Sequence, residues 1–151
     1  GYIIHYLHQK GEAGEARDGM DIALCKMDVR QNKLSYAGAY NSLYRIRNGE
    51  LMEFKGSRRP VGYFVGKGIP FDKEEVDVQK GDLLYIFSDG YADQFGGSKG
   101  KKFMFRKFKK LLLSIHEKEM SEQKMILDDT LKDWMKGYEQ IDDISVMGVR
   151  V

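Results

Sequence analysis

The chain has 151 residues, enough for one domain with a buried core. With 42% hydrophobic and 32% charged residues it has a globular rather than a disordered composition, and a net charge of +2 argues against a nucleic-acid binder and against an acidic tail. The single cysteine, Cys25, excludes an intrachain disulfide and fits a reducing compartment, while no apolar run is long enough to span a bilayer and no secretory signal is visible, so a cytoplasmic segment with no membrane span is expected.

In chain order, Gly1 to His8 reads as the tail of a helix entered midway, as expected of a piece cut from a longer protein. Residues 9–19 are polar and glycine-rich, a loop. Met20 to Met27 carries apolar residues at both parities and predicts a strand covered on both faces. Residues 28–33 form a turn. Leu34 to Ala39 and Ser42 to Arg47 predict two strands meeting at Tyr40-Asn41, and Asn48-Gly49 is a strong hairpin signal leading into Leu51 to Lys55. Residues 21–55 are thus expected to form one antiparallel meander.

Residues 56–70 hold both prolines and several Gly, Arg and Lys residues, a surface loop or flap. Phe71 to Val78 predicts a strand, and the continuous apolar run Leu83 to Phe87 predicts a central one. After the glycine-rich segment 96–100, Phe103 to Lys118 has apolar residues at helical spacing; a second helix is expected from an N-cap at Ser121, and a last strand over Ile144 to Val151. The order of strands, two helices and a strand predicts a mixed α+β domain with a largely antiparallel sheet.

Two strand ends carry carboxylates: Asp89 follows the run ending at Phe87, and Asp142 and Asp143 precede the last strand. If these strands are antiparallel neighbours, both sets converge on one edge. Clustered carboxylates repel unless a cation lies between them, and hard oxygen donors suit magnesium or manganese. The residues alone leave a second reading open, that these are ordinary acidic turns bordering strands.

Phe87-Ser88-Asp89-Gly90-Tyr91-Ala92-Asp93 resembles the Ser/Thr-Asp-Gly-x-x-Asp/Glu motif of the metal-dependent protein phosphatases (PPM, the protein phosphatase 2C superfamily). Asp142-Asp143-Ile144-Ser145-Val146 resembles their C-terminal Asp-Asn/Asp-x-Thr/Ser-hydrophobic motif. Asp18 to Leu24, Tyr36 to Ala39 and Asp93 to Gly97 are similar to further blocks of the bacterial SpoIIE-like branch. The resemblance covers nearly the whole chain and implies a PPM-type αββα sandwich, truncated at its N-terminus, with residues 1–151 as the C-terminal part of one domain. It implies two Mg2+ or Mn2+ ions, with Asp89 and Asp142 as ligands and Asp143 beside them or as an alternative ligand. Gly90 would lie at the site in the backbone, and Asp93 would orient water or hold a further ion. No side chain would be the catalytic nucleophile; a metal-activated water would hydrolyse phosphoserine or phosphothreonine on a regulatory protein, such as an anti-sigma-factor antagonist in a bacterial signalling pathway.

The family's first metal motif, an Asp followed by Thr-Gly-His-Gly-like residues, has no counterpart here; His5 and His8 lack its context. The fragment alone is therefore expected to bind metal poorly and to be inactive. An open sheet edge is expected, able to pair with another copy in a homodimer. The competing reading is a pseudophosphatase that binds a partner without catalysis. Arg58 and Arg59 precede Pro60 and can contact a substrate phosphate or be solvated loop residues. Cys25 reads as core, the Lys/Arg run over 99–110 as a solvated helix face or a contact for an acidic protein, Tyr36, Tyr40 and Tyr44 as sheet packing, and His116 as a helix-end dipole contact.

Overall fold

A computed structural model of the chain describes residues 19–62 and 69–151. The expected N-terminal helix tail, most of the following loop and part of the flap lie outside these residues. The described residues fall into two compact units, one built from the chain up to Leu43 with Phe54–Asp77, the other from Tyr44–Glu53 with Val78–Val151.

In the first unit, strands β2 (Ile22–Asp28), β3 (Lys33–Ala39) and β7 (Glu74–Asp77) form an antiparallel sheet in that order. The register places Ile22 opposite Ala39 and Leu34 opposite Val76. The β2–β3 turn forms because the Asp28 carboxylate accepts the N–H groups of Arg30 at 3.0 Å and Gln31 at 3.1 Å, an Asx-type turn. A short β1 (Gly19–Met20) pairs with β6 (Val61–Gly62). The expectation that the Met20–Met27 strand is covered on both faces is corrected: Leu24 is 63% exposed and Met20 is exposed too, because β2 is the outer strand of its sheet among the described residues.

The second unit holds a four-stranded sheet in the order β11 (Val146–Arg150), β8 (Leu83–Phe87), β4 (Leu43–Arg47), β5 (Glu50–Phe54). Asn48-Gly49 joins β4 to β5, with both residues at positive φ as such a two-residue turn requires. A one-turn helix α1 (Gly90–Asp93) follows β8, then a ribbon of β9 (Phe95–Gly96) and β10 (Lys101–Lys102), and the helices α2 (Phe105–Ile115) and α3 (Met120–Met135). The core of this unit forms where Leu83, Tyr85 and Phe87 of β8 meet Tyr44 and Ile46 of β4, Phe108 and Leu112 of α2 and Leu127 of α3. Phe87 lies edge-on to Phe108 at 5.1 Å between ring centroids.

Two further expectations are corrected. The meander over 21–55 does not exist as one sheet: β3 and β4 belong to different sheets, and residues 40–42 cross between them with Tyr40 at φ 58. The second helix starts at Met120 with Glu119 as its N-cap, so Ser121 lies inside the first turn. The observed architecture is α+β, with antiparallel sheets and helices flanking one of them. Among the described residues no helix is long and apolar enough to cross a membrane.

Candidate metal-binding edge

The apolar side chains of β8 bury the strand in the centre of its sheet, and the chain must leave the core where the apolar run stops at Phe87. β11 runs antiparallel beside it, with Val146 opposite Phe87 and Arg150 opposite Leu83. This register carries Ser88-Asp89-Gly90 to the same end of the sheet as Asp142-Asp143, although the two segments are far apart in sequence.

A set of short contacts fastens the two segments. The Ser88 N–H donates to the Ser145 carbonyl at 3.0 Å. The Ser88 hydroxyl donates to the Asp143 carbonyl at 2.7 Å and accepts from the Ser145 N–H at 2.9 Å. Gly90 packs so tightly against the Asp143 carbonyl that a Cβ there would overlap it. The sequence motif therefore has a steric cause at this position: glycine lets the two backbones touch.

Asp89 is the N-cap residue of α1, yet its side chain makes no capping hydrogen bond and is exposed. Its backbone carbonyl accepts the Asp93 N–H at 2.9 Å. Asp142 and Asp143 are exposed as well, and Asp142 Oδ1 accepts the Asp143 N–H at 2.7 Å. None of these three carboxylates forms an ion pair among the described residues. Asp93 does: Lys102 Nζ donates to its Oδ2 at 2.8 Å, so this carboxylate is held by an ammonium.

The two arginines lie in the first unit. Arg59 is committed to its own loop, with its guanidinium over the Phe71 ring at 4.5 Å and Nη2 donating to the Pro70 carbonyl. Arg58 is exposed. Burial pushes the Cys25 thiol pKa up, which suits a packed residue and not a nucleophile.

The donors at the edge are all carboxylate and carbonyl oxygens, which suit a hard divalent cation. They fall short in number, since no group of three or more His, Cys, Asp or Glu side chains is gathered to hold a metal among the described residues. The edge fits magnesium or manganese in kind and supplies part of a coordination shell. Reading the sequence found the carboxylates but missed the Ser88 clamp and the Lys102 partner of Asp93.

Antiparallel sheets with flanking helices are shared with the PP2C-type phosphatases. The SiaA-PP2C domain of Pseudomonas aeruginosa superposes with a TM-score of 0.79 at 32% identity, over 87% of this chain and 51% of that one. The phosphatase domain of SpoIIE from Bacillus subtilis, presoaked in manganese, gives 0.65 at 17% identity over 87% and 56%. The PPM Ser-Thr phosphatase MsPP from Mycobacterium smegmatis, in complex with cacodylate, gives 0.62 at 15% over 99% and 68%. The model of the family described as Stage II sporulation protein E matches residues 3–151, and the chain belongs to that family. No curated protein matches it in sequence. The chain spans about half the length of the first solved structures it resembles, the SiaA and SpoIIE phosphatase domains. Membership of this family supports a phosphatase-type function.

Proposed function

We propose that the protein is a magnesium- or manganese-dependent phosphatase that removes phosphate from phosphoserine and phosphothreonine on a partner protein, and that this chain supplies Asp89 and Asp142 to the metal-binding edge. The observation that carries the reading is the antiparallel β8–β11 pair, which brings two unpaired carboxylate segments together and locks them through Ser88. Bound there, a divalent ion supplies Lewis-acid stabilisation of phosphoryl oxygens and lowers the pKa of water. The chain's own contribution is positional. Ser88 and Gly90 fix the backbone beneath Asp89, Asp142 accepts the following N–H and so orients its carboxylate, and Asp143 lies adjacent as an alternative ligand. Asp93, already paired with Lys102, has the weaker claim to an ion.

With only these donors gathered, this chain by itself is proposed to be inactive. By family resemblance the proposed substrate is a small phosphorylated regulator of the anti-sigma-antagonist type. Of the arginines, Arg58 is proposed to meet a substrate phosphate, because Arg59 is already engaged. β11 and β2 are outer strands of their sheets among the described residues, and pairing of such an edge with a second copy is a proposed route to a homodimer.

Among the described residues no group of three acidic side chains is gathered, and a partner-binding module without catalysis stands as the second reading. A manganese-dependent phosphatase assay on the full-length protein, beside this chain alone, separates them. Activity in the full-length protein that is lost on chelation and on Asp89→Asn supports the enzyme. A folded full-length protein with no metal-dependent hydrolysis supports the binding module instead, and equal activity in this chain overturns the partial-site reading.

A further inference from the structure

From Gln94 to Ile115 every acidic or basic residue is Lys or Arg, seven in all, with no Asp or Glu. Two of these are neutralised locally, Lys102 by Asp93 and Lys109 by Glu53. Lys99, Lys101, Arg106, Lys107 and Lys110 are exposed and have no ion-pair partner among the described residues. Lys99 and Lys101 belong to the β9–β10 ribbon, and Arg106, Lys107 and Lys110 to α2, which follows it directly in the chain. α2 buries Phe108, Leu112 and Ile115, so Arg106 and Lys110 lie on its opposite, outward face. Lys107 reaches over the Trp134 ring at 3.8 Å, and that same ring packs against Gly97 of the loop that joins β9 to β10. The loop and ribbon carry Lys99 and Lys101.

Apolar side chains sit among these cations. Met104 is 56% exposed and Phe105 40% exposed, at the start of α2. Met104 has φ 75 and ψ 140, a backbone conformation that side-chain-bearing residues avoid. It is held there by its N–H donating to the Ala92 carbonyl at 2.7 Å and by the Phe103 N–H donating to the Gln94 carbonyl at 2.9 Å. A strained backbone thus presents a methionine to solvent in the middle of a basic field.

We propose that this face, formed by the β9–β10 ribbon and the first two turns of α2, rests on an anionic lipid surface, with Met104 and Phe105 entering the headgroup layer and the surrounding lysines meeting lipid phosphates and carboxylates. Four of the five free cations are lysines, which act as diffuse point charges on flexible stems, whereas recognition of specific carboxylates on a protein favours the planar fork of arginine. Exposed apolar residues ringed by lysines are the composition of a segment that lies on a membrane. The lack of a spanning helix concerns crossing the bilayer and leaves such adsorption open. The contact does not depend on whether Asp89 and Asp142 hold metal.

The test is co-sedimentation of the full chain with phosphatidylcholine vesicles, with and without roughly one-third phosphatidylserine, at about 0.05 M and about 0.5 M salt. Binding is expected only with the anionic vesicles and only at low salt. Arg106→Glu with Lys110→Glu is expected to weaken it at least about tenfold, since each surface cation near such a leaflet is worth about a fivefold change. Lys99→Glu with Lys101→Glu gives the same readout from the ribbon, should the helix variant fail to fold by circular dichroism. Met104→Asn, which replaces the apolar side chain with a polar one, is expected to weaken binding severalfold. Absence of binding, equal binding to neutral vesicles, or binding untouched by the charge reversals overturns the proposal. Salt-sensitive binding that ignores Met104→Asn and is competed away by polyglutamate would assign the face to an acidic protein.

Discussion

The Ser88 hydroxyl donates to the Asp143 carbonyl at 2.7 Å and, through the same oxygen, accepts the Ser145 N–H at 2.9 Å, so one small side chain ties the end of β8 to the start of β11. Ser88→Ala leaves both backbone groups without this partner and is expected to cost about 1–2 kcal/mol in denaturant unfolding. Ser88→Thr keeps the hydroxyl and should restore most of it. Because the clamp lies beneath the acidic edge, the alanine variant should also weaken manganese binding in the full-length protein, and threonine should recover it. Unchanged binding in a folded alanine variant would show that Ser88 is fold support alone.

Asp89 and Asp142 are exposed, and neither forms an ion pair among the described residues. Exposed, unpaired acidic residues contribute little to stability, so Asp89→Asn and Asp142→Asn should change unfolding free energy by less than about 0.5 kcal/mol. In the full-length protein both should sharply lower manganese affinity by titration calorimetry, with Asp143→Asn milder. Ordinary acidic turns would predict no change in binding for any of the three.

The elements read correctly from the sequence are those whose signal is local. Leu83 to Phe87 is apolar at every position and is buried or half-buried along its whole length, and Asn48-Gly49 encodes its own turn. The acidic edge was legible because it needed one assumption, that β8 and β11 pair, and the motif spacing pointed the same way. What escaped was decided by distant partners. Residues 40–42 look like a hairpin, but Tyr40 adopts a positive φ that nothing in its side chain advertises, and the chain crosses to another sheet. The β9–β10 ribbon hides in a glycine-rich stretch because Gly96 and Gly97 are placed by Trp134, far along the chain. The Ser88 clamp could have been suspected from the hydroxyl common to its motif, but its acceptor is a backbone carbonyl 55 residues away.

Gly90 offers a steric test of the same edge. It is buried, and an added methyl would meet the Asp143 carbonyl and carbon with no flexible side chain to give way. Gly90→Ala is expected to push β11 away from β8 and to cost about 1–3 kcal/mol, the usual range for overpacking. Manganese affinity should fall together with stability. A variant as stable as the parent would mean that the 88–90 and 142–145 segments are looser than their contacts indicate.

At the opposite end of β8, Asp82 is 1% exposed and grips Arg47 through two parallel hydrogen bonds, Nε to Oδ1 at 2.7 Å and Nη2 to Oδ2 at 2.6 Å. Burial alone would raise the Asp82 pKa. The Arg47 fork and the Gln79 N–H outweigh it, and the net shift is downward. A carboxyl whose folded pKa lies below its unfolded value contributes stability that is fully present above the unfolded pKa, and the contribution is lost as pH falls through the folded one. The pair should therefore hold at neutral pH and weaken only in acid, below the ordinary aspartate range. Arg47→Ala leaves a buried, unpaired carboxylate and should cost about 3 kcal/mol at pH 7. That deficit should shrink on acidification, as Asp82 in the variant takes up a proton and becomes neutral. A deficit that stays constant from neutral to acid pH would show that Arg47 stabilises β4 by packing and not by charge.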